Sequence, residues 1–229
     1  MPIARPEYGP SLAEVAGPRV RRLPPLVRWG APVVAVLVIL LVAVVWISRG
    51  ESLTQTVIEG PLTFNTRYDD RIERVEAGPG ELLRLSTKSG PGRGAEFLAF
   101  RDAGPAPTTD EPAGGPVAQL ALRMAGVMAP VRKELADSKF RVRSEGRVKI
   151  GRDYAGWLVR YQFQRDGATW YGVRALLLPD ESGTTERVLD MSLESEKSDV
   201  VQQISEAGSN GPMRTPFYGV AFGTEKPGS

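Results

Sequence analysis

The sequence predicts an α+β domain, a mostly antiparallel sheet with one long and one short helix, preceded by a single transmembrane helix. Three observations carry this reading. Trp29 to Ser48 is a run of 20 residues without a charge. Val117 to Asp137 repeats apolar residues at three- and four-residue spacing, the period of one helix face. Most of the chain beyond residue 61 alternates apolar and polar residues between turn signals. No βαβ alternation and no Gly-rich dinucleotide loop interrupts it.

The uncharged run is the first element. At about 1.5 Å rise per residue, a helix of that length is roughly 30 Å long, the thickness of a bilayer's hydrocarbon core. It is apolar all round, so it is not an amphipathic core helix. Pro32 falls in the first turn, where a missing N–H costs little, and Trp29 and Trp46 sit near the two ends, at headgroup level. A cleaved signal would end in small residues, but this run ends "VVWISRGES". Arg19, Arg21, Arg22 and Arg28 precede the span and only Arg49 follows closely. The positive-inside rule then puts residues 1–28 in the cytoplasm and the rest outside the plasma membrane. The arm 1–28 is proline-rich, lacks periodicity and reads as disordered. Its "RVRR" either touches anionic lipid or serves only as a topology signal.

Residues 49–60 read as a spacer and 61–222 as the outer domain, with 223–229 as a tail. Leu62–Tyr68, Glu81–Lys88 and Ala95–Arg101 alternate as strands, separated by "AGPGE" and "SGPGRG" turns. The loop 102–115 has no apolar residue larger than alanine and is expected to be mobile. In the 117–137 helix, Val117, Leu120, Ala121, Met124, Val127, Met128, Val131 and Leu135 form the apolar stripe. Pro130 is expected to kink or divide it. Phe140–Ile150 reads as one strand or two short ones. A hairpin follows, and two turns compete for it. A two-residue Asp166-Gly167 turn sets Val159 opposite Arg174. A three-residue loop through Ala168 sets Phe163 against Tyr171 and Val159 against Ala175, which gathers the alternating apolar residues on one face and is therefore favoured. Arg187–Ser195 is the next strand, Ser198 and Asp199, both good N-cap types, open a short helix, and "TPFYGVAFG" is a last strand or an ordered tail. The count is about six to eight strands.

Composition excludes several chemistries. The chain has no cysteine and no histidine, so disulfides, thiolates, zinc–sulfur sites and the usual general base near neutral pH are absent. Arginine far outnumbers lysine, and alanine, glycine and proline are common, as in a GC-rich bacterium. Residues 1–49 hold six arginines against two glutamates, which leaves 23 basic and 25 acidic groups in 50–229. The outer domain is thus mildly acidic and no nucleic-acid binder. No cofactor is expected.

The candidate residues are few. Asp69-Asp70 is an adjacent carboxylate pair, but strand neighbours point to opposite faces, so a solvated turn is favoured over an acid/base dyad. "PDESG" (residues 179–183) lacks calcium-loop spacing and reads as a plain turn. Ser86 and Lys88 share a strand face without any oxyanion hole in view. In the favoured hairpin register Arg160 and Arg174 face each other on an open polar face, with Gln162, Trp170 and the acidic residues of the next strand. That face is either solvated or a binding surface for an anionic or glycan ligand. Trp157 belongs to the core and Trp170 to the polar face. The function read from this is a membrane-anchored extracytoplasmic binding or assembly-accessory domain of a bacterial cell envelope, with the lipid bilayer and an envelope protein or glycan as partners. The alternatives are an envelope hydrolase using carboxylate or Ser/Lys chemistry, and a purely structural tether.

The pieces "PLTFNTRY", the 117–137 helix, "KFRVRSEGRVKIGRDYAGWLVRYQF" and "TWYGVRALLLPD" follow one another across most of residues 61–206. That order resembles the PsbP/Mog1/DcrB-like fold group. The resemblance implies a non-enzymatic binding or assembly-accessory domain, as in photosystem accessory subunits or exported envelope lipoproteins. It implies no residue-level site.

Overall fold

The computed structural model describes Val38 and residues 53–88, 92–107, 115–179 and 186–224. The chain divides into two compact units, Met1–Glu51 and Ser52–Ser229. Apart from Val38, the predicted arm and span lie outside the described residues, as do residues 180–183 of "PDESG". Among the described residues no helix is long and apolar enough to cross a membrane.

The second unit is α+β. Its strands are β1 (Thr54–Ile58), β2 (Phe64–Tyr68), β3 (Ile72–Val75), β4 (Glu81–Thr87), β5 (Glu96–Pro105), β6 (Arg141–Ile150), β7 (Tyr154–Arg165), β8 (Ala168–Leu177), β9 (Arg187–Glu196) and β10 (Ala221–Phe222). Helix α1 (Gly115–Glu134) lies between β5 and β6, and α2 (Arg214–Tyr218) precedes β10. A seven-stranded sheet runs β3-β4-β5-β9-β8-β7-β6, and a three-stranded sheet runs β1-β2-β10. Every pairing is antiparallel.

Both faces of the large sheet are covered around β8, so that strand is buried at nearly every position from Trp170 to Leu177. On one face Leu158, Tyr171, Val173, Ala175, Leu189 and Met191 pack with Phe64 and Phe222 of the small sheet and Phe217 of α2. On the other, Leu120, Met124 and Met128 of α1 pack on Val159, Phe163, Trp170 and Leu176. Each buried Leu, Val, Met or Phe among them contributes roughly 1.5–3 kcal/mol on burial. The predicted stripe of α1 is thus the buried one, with Leu135 continuing it beyond the helix end. Pro130 lies inside a single helix and does not divide it.

Four readings are corrected. The hairpin turn has two residues: Asp166 and Gly167 both have positive φ (52° and 79°), as a type I′ turn requires, and Val159 pairs with Arg174. The argument from one apolar face failed because β8 is buried on both faces. Residues 198–213 form turns instead of a helix: Ser198 Oγ does accept the Val201 N–H (3.2 Å), but positive-φ Gly208 and Gly211 cut the chain short. The second helix is α2, in the segment read as a strand or tail. Finally, the start of the expected mobile loop is ordered. β5 reaches Pro105, Arg187 donates to Asp102 (2.5 Å), and Ala106 N–H donates to Glu186 (2.7 Å). Residues 108–114 lie outside the described residues.

Candidate functional site: a charge-paired cleft beside α1

Helix α1 covers the β7–β8 side of its sheet face and leaves β4, β5 and β9 beside it open. The result is a cleft of about 480 Å³, walled by Pro130, Val131, Glu134 and Leu135 and floored by the sheet. Strand alternation supplies the floor. From β9 come Ser192 and Glu194, from β5 Phe97, Ala99 and Arg101, from β4 Glu81 and Arg84, from β8 Arg174, and from β7 Tyr161 and Arg165.

The arginines are held in place. Arg174 makes a two-pronged ion pair with Asp190 (Nε 2.9 Å, Nη2 2.6 Å), with side-chain exposures of only 12% and 4%. Its Nη1 also reaches the Val127 carbonyl of α1 at 3.4 Å. Arg101 donates to Ser192 Oγ (2.7 Å) and pairs with Glu81, whose other oxygen accepts the Gly78 N–H. Arg165 pairs with Glu194 (3.0 Å) and lies over the rings of Phe163 and Trp170, 5.0 Å from each centroid. Arg84 lies over Phe97 at 5.6 Å and stands 3.7 Å from Glu81. Four arginines therefore meet Glu81, Glu134, Glu194 and, behind them, Asp190, so the cleft is nearly neutral.

Tyr161 is the exception in this network. Its ring lies across Gly172 of the neighbouring strand, where a Cβ would stand 2.1 Å from Cζ, so only glycine admits the ring. Among the described residues its hydroxyl has no hydrogen-bond partner. Burial pushes the phenol's pKa well up, Glu194 adds to that, and Arg174, Arg101 and Arg165 pull back only in part. The hydroxyl therefore stays protonated and offers a donor to the cleft.

The residues singled out in the sequence divide between sites. Arg174 lines the cleft. Trp170 shares its face but is buried under α1, 7% exposed, between Phe97 and Phe163. It is core and not a polar-face contact, and Trp157 is the half-buried one. Arg160 pairs with Val173 and Gln162 with Tyr171, so both lie on the opposite face from Arg174. The open polar face with two opposed arginines does not exist. Asp69 is not solvated either. It is 1% exposed and accepts Arg71 N (2.9 Å), Nε (3.0 Å) and Nη2. Burial raises its pKa, but those hydrogen bonds more than offset this and hold it below the ordinary value. Lys88 Nζ donates to the Asp70 carbonyl (2.5 Å) and Ser86 Oγ to the Thr87 carbonyl, so Ser86 and Lys88 form no pair. Among the described residues no three His, Cys, Asp or Glu side chains gather as metal ligands. Arg84, Arg101 and Arg165 went unremarked in the sequence, where Tyr161 read only as one of the alternating apolar residues of its strand. Their signal is faint: isolated arginines near the ends or middle of strands whose neighbouring positions on the same face are mostly apolar, as Arg101 beside Phe97 and Ala99.

No family model matches the chain, that of the PsbP/Mog1/DcrB-like group included, and no curated protein matches it. Solved structures similar to it include LpqN, involved in cell envelope biogenesis of Mycobacterium tuberculosis, with TM-score 0.43 and 11% identity over 76% of this chain and 93% of LpqN. Another is PA94 of Pseudomonas aeruginosa, a protein of unknown function, with TM-score 0.32 and 18% identity over 62% and 82% of the two chains.

Proposed function

We propose that the chain is a single-pass, membrane-anchored binding or assembly-accessory domain of a bacterial cell envelope, with a cytoplasmic N-terminus. Residues 1–28 form the arm, 29–48 the span, and the α+β unit lies outside. The uncharged 20-residue run and its arginine flank support the anchor and its orientation. The cleft beside α1 is the binding site in this reading, and its ligand is a neutral, hydroxyl-rich chain such as an envelope glycan. The observation that carries this is the Tyr161 hydroxyl, without a hydrogen-bond partner among the described residues, on the floor of a charge-balanced cleft. A polyanion would have to break arginine–carboxylate pairs to enter. A sugar finds fixed donors in the arginines, acceptors in the carboxylates, and an aromatic flank in Phe97.

The test is a titration of the full chain in nanodiscs with neutral cell-wall oligosaccharides, read by tryptophan fluorescence. Tyr161→Phe should weaken binding about fivefold, the worth of one neutral hydrogen bond. Binding unchanged in Tyr161→Phe, or seen only with charged oligosaccharides, overturns the assignment.

A further inference from the structure

The β6–β7 edge carries the opposite electrostatics. β6 is the outermost strand of the large sheet and ten residues long, with nearly all of its side chains exposed or half-buried. Arg141, Arg143, Arg147 and Lys149 project from it, against one carboxylate on the two strands, Glu145. Arg160 of β7 sits opposite Ser144 in a shallow hollow of about 170 Å³. Among the described residues none of these five cations forms an ion pair. The one polar contact among them is Arg143 Nη2 to Gln162 Oε1, at 3.0 Å. The Nε of Arg160 is shielded from solvent and has no hydrogen-bond partner. Glu206, which like Arg143 acts electrostatically on Tyr171, is already engaged by the N–H groups of Gln202 and Gln203 (2.7 and 2.9 Å).

Charged side chains on an edge strand discourage pairing with other chains, and that alone would account for β6. It does not account for Arg160. An interior strand gains nothing from a half-buried guanidinium whose Nε is sealed off without an acceptor. We infer that this edge is an anion-binding surface that seats the domain on the phosphate headgroups of an anionic bilayer, an inference that rests on the proposed anchoring.

The arrangement favours a plane over a small ion. Cross-strand register places Arg141 and Arg160 on the side of Gln162, where Arg143 also reaches, and Arg147 and Lys149 on the side of Trp157. No single small anion touches both rows. A surface meeting the sheet edge-on touches both, along a strand roughly 33 Å long at ~3.3 Å per residue. Phosphate accepts readily from guanidinium, and each cation near such a surface changes affinity about fivefold. Anchoring in the same bilayer raises the effective concentration of headgroups, so weak individual contacts suffice.

The absence of cysteine allows one label at one chosen site. The full chain is reconstituted into neutral phosphatidylcholine vesicles and into vesicles with 30% phosphatidylglycerol. A fluorophore is placed by Ser144→Cys beside Arg160, or by Glu73→Cys on β3, the other edge of the sheet. Quenching by a soluble quencher should fall severalfold at 144 in anionic vesicles only, and not at 73. The protection should vanish in R141Q/R143Q/R160Q and weaken in R147Q/K149Q. Equal quenching in both vesicle types overturns the inference. Equal protection by inorganic phosphate or polyphosphate in neutral vesicles also overturns it, in favour of a small-anion site. If the chain does not float with neutral vesicles, the anchor reading fails separately. The surface is then read from flotation with anionic vesicles, where R141Q/R143Q/R160Q must cut binding at least fivefold for the inference to stand.

Discussion

Arg160 and Arg174 are the same residue type on adjacent strands of one sheet, and the structure treats them in opposite ways. Arg174 is locked to Asp190 and tied to the Val127 carbonyl under α1. Among the described residues Arg160 has no acceptor, and it looks out over the β6 edge. One arginine belongs to a neutral network that shapes a cleft, the other to an unbalanced row of cations. A guanidinium thus has two uses in one fold. With its carboxylate it is a rigid strut, and its charge is spent. Without one it keeps its charge for whatever arrives.

The largest effect separating these two uses is expected at Arg174. Arg174→Ala strands Asp190 in a nearly closed site, and losing one partner of a buried pair costs about 3–5 kcal/mol. Arg174→Met with Asp190→Leu should recover most of that, because the double variant buries no charge. Urea unfolding of the wild type and the two variants measures both. A loss below 1 kcal/mol for the single variant would show that Arg174 is no strut.

Trp170 extends the same comparison to packing. Trp170→Ala should cost about 3–5 kcal/mol, since the indole is buried between Phe97 and Phe163, and Trp157→Ala should cost less because that ring is half-buried. This order is the reverse of the one the sequence favours, and equilibrium denaturation decides it.

How the sequence misled is instructive. Helix α1 was legible because one face of it is wet: Leu120, Met124 and Met128 are buried while Leu122 and Pro130 are not, so a 3.6-residue period survives. Strand β8 has no wet face. Trp170, Gly172 and Leu176 are buried under α1, and Tyr171, Val173 and Leu177 under the small sheet, so alternation holds no information about register. The turn did hold it, since Asp-Gly is the type I′ pair. Strand β1 hid in the spacer, and β3 in "YDDRIERV", because each is at most five residues long. Helix α2 has five residues, too few for any period. The cleft was invisible for another reason. Its residues come from β4, β5, β7, β8, β9 and α1, and only the strand order β4-β5-β9-β8-β7 brings them together.

Glu96 is the intermediate case, a buried charge whose partners are dipoles and not a cation. It is 3% exposed, and accepts the Ser195 hydroxyl (2.9 Å) and the Met213 N–H. Burial raises its pKa from 4.5 to about 6, and those two hydrogen bonds pull it back only in part. The folded state therefore keeps a proton that the unfolded chain has lost between pH 4.5 and 6. Glu96's contribution is fully present below pH 4.5 and is lost as pH rises through 6, by about 2 kcal/mol. Asp69, held below its ordinary 3.8, titrates under that window. Glu96→Gln should flatten stability across pH 4.5–6, and thermal melts at half-unit steps would expose a slope that persists without the carboxyl.

The smallest effect on stability is expected at Arg160, and its smallness is the point. Arg160→Gln removes no ion pair and relieves an Nε that has no acceptor, so stability should move by no more than about 0.5 kcal/mol. The charge should nevertheless matter for how the domain responds to salt. With five cations on one edge that form no ion pair among the described residues, mutual repulsion falls as ions screen it, so wild-type stability should rise slightly from 20 to 300 mM salt. Arg160→Gln should reduce that rise, and Arg174→Met with Asp190→Leu should leave it unchanged, because a matched pair contributes no net field. Chemical denaturation with urea, which carries no charge, at the two salt levels reads the difference directly. An equal salt response in the Arg160 variant and wild type would mean that an acceptor already neutralises Arg160 in solution. The contrast between the strut and the open cation would then be lost.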